Sequence, residues 1–256
     1  MTGVLPIGLA NSTKVIGNVI HSVKEYVMVI QLHGDARESS VKMVVEYFKG
    51  DIYQKPPLRS SVKRSIRVRR IYEIELLEIR DRFILVRVLS DPGTYMRKLA
   101  HDIGLMLGTG AHMRELRRTR TGPYREDETL VRLQDISEAL TLWRSSGDER
   151  YIRRIILPVE TSIAHLPKIM ILDTAVDAIA HGANLAVPGI ARLTSNVERN
   201  KTVAILTLKG ELVALGTALY SAKEIAGMKK GVVARTRRVV MPTGIYPPAW
   251  RKGQPG

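Results

Sequence analysis

The chain contains no cysteine, which removes disulfides, thiol catalysis and cysteine zinc sites together. It has no apolar run approaching the ~20 residues that a membrane-crossing helix needs. No segment at its start reads as a signal peptide, so a cytoplasmic protein with no membrane partner is expected. Histidine is sparse: His21, His33, His101, His112, His165 and His181 are scattered, with none paired at i+3 or i+4. No metal site is expected, and satisfied or surface imidazoles account for all six. A phosphate-binding glycine loop is missing as well, because Gly104–Gly110 lacks both the lysine and the preceding strand. So is a GxSxG nucleophile elbow.

What is present is positive charge. The 256 residues carry a formal net charge of +15, with 26 arginines against 14 lysines. Such an excess repels itself in a compact state, so a polyanionic partner is expected. Arginine over lysine suits bidentate phosphate contacts and stacking on bases, which favours RNA. The excess is also localised. Between Lys55 and Arg125 there are 17 Lys+Arg and 7 Asp+Glu, a net of +10, which is two thirds of the total. Within it, Lys63–Arg70 alternates basic and apolar residues, so one strand face can pack while the other meets phosphates.

The periodicities predict a strand over Val23–His33, with Tyr26, Met28, Ile30 and Leu32 on one side. A helix over Ser39–Lys49 follows, then an extended Gln54–Pro57 and two strands, Arg67–Ile79 and Phe83–Ser90, joined by a turn at residues 80–82. Asp91–Tyr124 combines three features. Thr94 is placed to cap a helix whose apolar stripe is Met96, Leu99, Ala100, Ile103, Met106 and Leu107. Gly108 and Gly110 end that helix, and His112–Thr121 is an arginine-rich strand. Arg97 lies one turn into the helix and off its stripe, the charge best placed for chemistry. Asp127–Ser145 predicts an amphipathic helix on Leu133, Ile136, Leu140 and Trp143. Short helical pieces follow around Pro158. From Lys168 the composition resets to small residues, valine and glycine. Ile169–Leu172 reads as a strand, Asp173 as an N-cap, Ala175–His181 as a helix, and Thr202–Leu208, Glu211–Tyr220 and Gly231–Met241 as further strands. This spacing predicts a small β-barrel or sandwich, with a loose tail at Arg251–Gly256.

The ordered motifs TGVLPIGL (Thr2–Leu9), KEYVMVIQLHGD (Lys24–Asp35), QKPPLRSSVKR (Gln54–Arg64), GTYMRKLAHDIG (Gly93–Gly104) and AHMRELRRTRTGPY (Ala111–Tyr124) resemble those of the TruB/dyskerin family of RNA pseudouridine synthases, in its archaeal, RNA-guided branch. HGANLAVPGI (His181–Ile190), GELVALGTA (Gly210–Ala218) and GIYPPAW (Gly244–Trp250) resemble a PUA domain, an RNA-binding barrel. The resemblance implies an α+β fold. A mixed, mostly antiparallel catalytic domain over residues 1–166 precedes a PUA barrel over 167–250 and a tail over 251–256. It implies isomerisation of uridine to pseudouridine without a cofactor or metal. The substrate is the T-loop uridine of tRNA, rRNA chosen by an H/ACA guide RNA, or both. The guided branch implies small H/ACA protein subunits as partners.

By the same resemblance Tyr26 stacks on the flipped base, Arg97 pairs with the nucleophilic aspartate and Leu116 lines the uracil pocket. A guanidinium fork keeps a carboxylate ionised and aimed. Lys24, Arg117 and Arg118 are implied in substrate binding, with Lys24 equally suited to a structural role. Gly182, Ala183, Gly189 and Tyr246 are implied RNA contacts of the barrel. One element departs from the pattern. In the family's register the nucleophilic aspartate lies three positions before Met1, so the 256 residues do not include it. A late-assigned start or a truncated copy accounts for this, with an open sheet edge, poor solubility and no turnover expected of the short form. A non-catalytic RNA-binding or scaffold protein is the alternative.

Overall fold

The computed structural model describes residues 1–56 and 65–248. Pro57, the Lys63-Arg64 start of the basic alternation, most of the QKPPLRSSVKR motif, the end of GIYPPAW and the tail lie outside the described residues. Packing divides the chain into two compact units: Met1–Pro6 with Val19–Ile155, and Ile7–Asn18 with Ile156–Gly256.

In chain order the elements up to the second unit's main segment are β1 (Thr2–Gly3), α1 (Ile16–Ile20), β2 (Lys24–Leu32), α2 (Glu38–Tyr47), β3 (Gly50–Gln54), β4 (Arg67–Arg80), β5 (Phe83–Ser90), α3 (Met96–Met106), β6 (Ala111–Thr121), β7 (Tyr124–Arg125), α4 (Leu133–Ser146) and α5 (Arg150–Ile155). The first unit is built on a sheet of order β1-β6-β2-β5-β4-β3, with β7 on β6. Only β1 runs parallel to its neighbour, β6. Period-two alternation in β2 sends Met28, Ile30 and Leu32 to one face, where they meet Ile84, Val86 and Val88 of β5. Helical spacing delivers Val41, Val44 and Val45 from α2 and Met96, Leu99, Ala100 and Ile103 from α3 onto that core. Full burial of a valine, leucine, isoleucine or methionine side chain stabilises a fold by about 1.5–3 kcal/mol relative to exposure.

Three local expectations for this unit change. Thr94 does not cap α3: its hydroxyl donates back to Asp91 O at 2.8 Å, and the helix starts at Met96 behind Tyr95. Met106 is exposed, because the stripe rotates off the sheet in the last turn. In α4 only Ala139 is buried, while Leu133 and Trp143 stay exposed, because the helix packs mainly on α5 and two short helices cover one narrow stripe.

The second unit contains β8 (Lys168–Ile171), α6 (Asp173–Ala180), β9 (Leu185–Ala186), β10 (Ile190–Leu193), β11 (Thr202–Leu206), β12 (Leu212–Ala218), α7 (Ala222–Ala226) and β13 (Val232–Val239). Its sheet order is β10-β8-β11-β12-β13-β9. The two outermost strands, β9 and β10, are joined in sequence by the single turn Val187–Gly189. So short a link holds the sheet's ends together, and the sheet must curl into a nearly closed barrel. Asp173 occupies the first turn of α6 rather than its cap, which Leu172 takes; a carboxylate there still complements the helix dipole. Val15, from the early segment, packs with Ile163, Leu206, Leu212, Leu215 and Val240.

Candidate functional site

The residues singled out in the first unit converge on three adjacent strands. Gly3 of β1 pairs with Arg118 of β6, and Arg118 pairs with Tyr26 of β2. The contact at Gly3 is close. Its φ is +106°, and a Cβ there would lie 2.1 Å from Arg118 O, so only glycine fits. Val4 N donates to Arg118 O at 2.8 Å, and Arg118 Nε donates to Val4 O at 2.7 Å. The chain start is therefore clamped against the strand beside Tyr26.

Tyr26 is half-buried and packs on the core. The β2–β6 register shifts between Glu25 and Tyr26, leaving Thr119 bulged, and its hydroxyl donates to Glu25 Oε1 at 2.8 Å. A bulge re-aims side chains, and this one lies directly beside Tyr26. Leu116 pairs with Met28, so it shares the Tyr26 face one diagonal step away. The structure thus brings Tyr26 and Leu116 together on the face that α3 covers. Arg97 sits at the start of α3, exposed, and its side chain has no hydrogen bond or ion pair among the described residues. It is a cation free to meet a carboxylate.

What holds α3 in place was not legible in the sequence. Gln54, only 2% exposed at the end of β3, accepts from Tyr95 N at 2.8 Å and donates to Tyr95 O at 3.2 Å. Asp91 accepts from Arg70 N and from the Tyr72 hydroxyl, both at 2.9 Å, which ties the loop before α3 to β4 and raises the Tyr72 pKa. The one available signal for Gln54 was an uncharged polar residue closing a strand two positions before Pro56.

The other predicted side chains are already committed. Lys24 is buried, and its ammonium donates to Ile20 O at 2.6 Å, Ser22 O at 2.7 Å and Val19 O at 3.4 Å. Burial first, then the charge of Arg118, pulls its pKa down. Its cross-strand neighbours Ser90 and Thr121 are buried too, with hydroxyls lacking a partner among the described residues. Arg117 forks onto Glu126, with Nε to Oε2 at 2.9 Å, and Nη1 reaches Thr2 Oγ1 at 3.2 Å. The hydrogen bond from Arg117 holds the Glu126 carboxyl below its ordinary range.

In the second unit three of the four predicted contacts gather around α6. Gly182 takes φ +90° after the helix, and Ala183 O accepts from the Thr236 hydroxyl at 2.6 Å. Gly189 O accepts from Leu172 N at 2.9 Å. Tyr246 lies apart from them, its hydroxyl donating to Glu211 Oε2 at 2.7 Å with the Lys209 ammonium 5.7 Å from its ring centre. Among the described residues no helix is long and apolar enough to cross a membrane, and no group of three or more His, Cys, Asp or Glu could hold a metal.

Comparison with known proteins matches most of the chain. The model of the TruB family pseudouridylate synthase N-terminal domain matches residues 1–96, that of the tRNA pseudouridylate synthase B C-terminal domain 97–164, and that of the PUA domain 167–240. A probable tRNA pseudouridine synthase B of Archaeoglobus fulgidus is 53% identical over 251 residues, covering 98% of this chain and 77% of the relative. One from Saccharolobus solfataricus is 50% identical, covering 97% of this chain and 98% of the relative. Among solved structures, a Cbf5-Nop10-Gar1 complex superposes with a TM-score of 0.92 at 49% identity, covering 96% of this chain and 74% of that one. An H/ACA RNP bound to a substrate RNA containing 2'-deoxyuridine gives 0.91 at 46% identity, covering 97% and 75%.

Proposed function

Since the chain belongs to the TruB/dyskerin family of RNA pseudouridine synthases, we infer that it serves the isomerisation of uridine to pseudouridine in RNA. The substrate is the tRNA T-loop uridine, guide-selected rRNA within an H/ACA particle, or both, and the small protein subunits of such a particle are partners. The protein works where its RNA is, in the cytoplasm. Residues 1–166 form the catalytic part and 167–250 the PUA part that contacts RNA through Gly182, Ala183, Gly189 and Tyr246, while residues 7–18 and 156–166 pack with the second unit. The family-model boundary between 164 and 167 supports that division.

One observation carries the assignment of the site. The Gly3 clamp holds the segment that directly follows the family's aspartate position one strand from Tyr26. In this reading Tyr26 stacks on the flipped uracil, Leu116 closes the apolar side and the unpartnered Arg97 takes the nucleophilic carboxylate. Lys24, Arg117 and Arg118 shape the site and its backbone, and RNA is drawn to the basic span by its charge. Removing a base from the stack costs a few kcal/mol, which phosphate contacts offset. No cofactor takes part.

Tritium release from C5-labelled uridine RNA tests this. We expect release from the natural protein, and none after Arg97→Ala. Turnover that survives Arg97→Ala would remove the role given to Arg97. RNA binding without tritium release from the natural protein would favour the non-catalytic RNA-binding reading.

A further inference from the structure

On the core-facing side of β6, each residue pairs with an alternate residue of β2: Ala111 with Leu32, Met113 with Ile30, Leu116 with Met28, Arg118 with Tyr26 and Thr121 with Lys24. An unbroken strand would space those β6 residues two apart throughout. Here the steps from Met113 to Leu116 and from Arg118 to Thr121 take three, because Arg114 and Thr119 are extra residues at the two register shifts. We propose that Glu25 and Thr119 are positioning residues for the uridine isomerisation. The bond between their side chains holds the shift at Thr119 and so turns Leu116 and Arg118 towards Tyr26. The proposal rests on the reading of Tyr26 and Leu116 as contacts of the flipped base.

The shift decides which side chains share the Tyr26 face. Glu25 pairs with Arg120, so unbroken pairing would put Thr119 opposite Tyr26, Arg118 opposite Val27, Arg117 opposite Met28 and Leu116 opposite Val29. Every side chain of that stretch would then change face. Leu116, now buried, would leave the core, and the Arg117 cation would meet Met28, which is 0% exposed. One extra residue prevents both.

The extra residue is bonded from two sides. Thr119 Oγ1 donates to Glu25 Oε1 at 2.8 Å, on the face turned away from Tyr26, and Thr119 O accepts from Glu126 N at 2.9 Å. Glu25 is itself held. Its side chain is only 15% exposed, and Arg87 Nη1 of β5 lies 3.6 Å from its Oε2. Arg87 Nε in turn donates to Glu75 Oε2 of β4 at 3.0 Å. A polar chain of Thr119, Glu25, Arg87 and Glu75 thus crosses four neighbouring strands behind the site. Thr119 joins that chain through its hydroxyl, which valine, of nearly the same shape, lacks. A shift freed of this bond loosens, and a small misplacement at a reacting centre costs rate out of proportion to its size.

Tritium release from C5-labelled uridine RNA at saturating RNA, with RNA affinity measured beside it, tests this on the natural protein. Thr119→Val should lower the release rate roughly fivefold or more while affinity changes by less than about twofold. Thr119→Ser, which restores the hydroxyl, should recover most of the rate. Glu25→Leu removes the same bond from its other end, so the test stands even where one variant does not fold. It should lose about as much as Thr119→Val, and the double variant no more than about twofold beyond either, because one bond is removed in all three. Rates are compared at equal folded fraction, read from melting curves. Undiminished release in Thr119→Val, equal losses in Thr119→Val and Thr119→Ser, or losses that multiply in the double variant would overturn the proposal. Tyr26→Leu, expected to abolish release, separates it from the reading on which it rests. Loss of release in Tyr26→Leu with full release in Thr119→Val removes only the positioning role, whereas full release in Tyr26→Leu removes the reading itself.

Discussion

Replacing Gly104 with alanine should destabilise the first unit, against the usual sign for this change in a helix. Alanine in place of glycine inside a helix ordinarily stabilises by about 1 kcal/mol. Here a Cβ would lie 2.2 Å from Ala111 N and 2.4 Å from Ala111 Cβ, where α3 crosses the start of β6. Two of the three nearest atoms are backbone, so no rotamer change relieves the clash. Reaching ordinary contact requires α3 and β6 to part by roughly 1.2 Å at this point. That movement also strains the bond from Gly110 N to Gly104 O, now 2.9 Å. Overpacking of this kind costs about 1–3 kcal/mol, and a weakened buried backbone bond about 1 kcal/mol. Against the gain in helix propensity, the net loss is about 2 kcal/mol. For a unit of this size that lowers the melting temperature by roughly 4–8 °C. Gly17 in α1, which belongs to the second unit, gives the ordinary sign for comparison in that unit's transition, because nothing lies within 4 Å of a Cβ there. Urea and thermal melts of Gly104→Ala and Gly17→Ala should shift in opposite directions. If Gly104→Ala stabilises as Gly17→Ala does, the close approach of α3 to β6 is wrong, and the placement of Arg97 over these strands falls with it.

Gln54→Leu should leave the Tyr95 amide unpaired at a cost of about 1–3 kcal/mol, with faster hydrogen exchange at residues 95–97. Gln54→Glu, which keeps the acceptor, should protect that amide better than Gln54→Leu; equal exchange in both would discount the clamp. Arg97→Ala should change stability by less than about 0.5 kcal/mol, because the side chain is exposed and unpartnered among the described residues, while abolishing turnover in the natural protein. In the second unit the Glu211 carboxyl is held below the ordinary glutamate range, first by the Tyr246 hydroxyl and then by Thr207. A depressed carboxyl contributes stability above its unfolded pKa that is lost as pH falls through the folded value. The acid limb of the second unit's melting profile below pH 4.5 should therefore flatten in Tyr246→Phe, and an unchanged limb would show that this bond is not maintained in solution.

The sequence by itself determined the local elements and the class of partner. Alternation in β2 and helical spacing in α2 and α3 were legible because each strand or helix must turn one face to a core, and that face is written at a fixed period. The arginine excess announced a polyanion for the same local reason. Motif order placed Tyr26, Arg97 and Leu116 in one family pattern, although Arg97 alone would have passed for a surface charge. Tertiary structure decided what depends on residues distant in sequence. It replaced the expected Thr94 cap with Gln54, 41 residues before Tyr95, and turned Gly3 from an unremarkable glycine into the contact with Arg118. It also joined His33 to His112, which a search at helical spacing separates by 79 residues. Periodicity records only which face of an element is buried. Which partner meets that face is fixed by the register and order of strands, and neither is a property of any short stretch of chain.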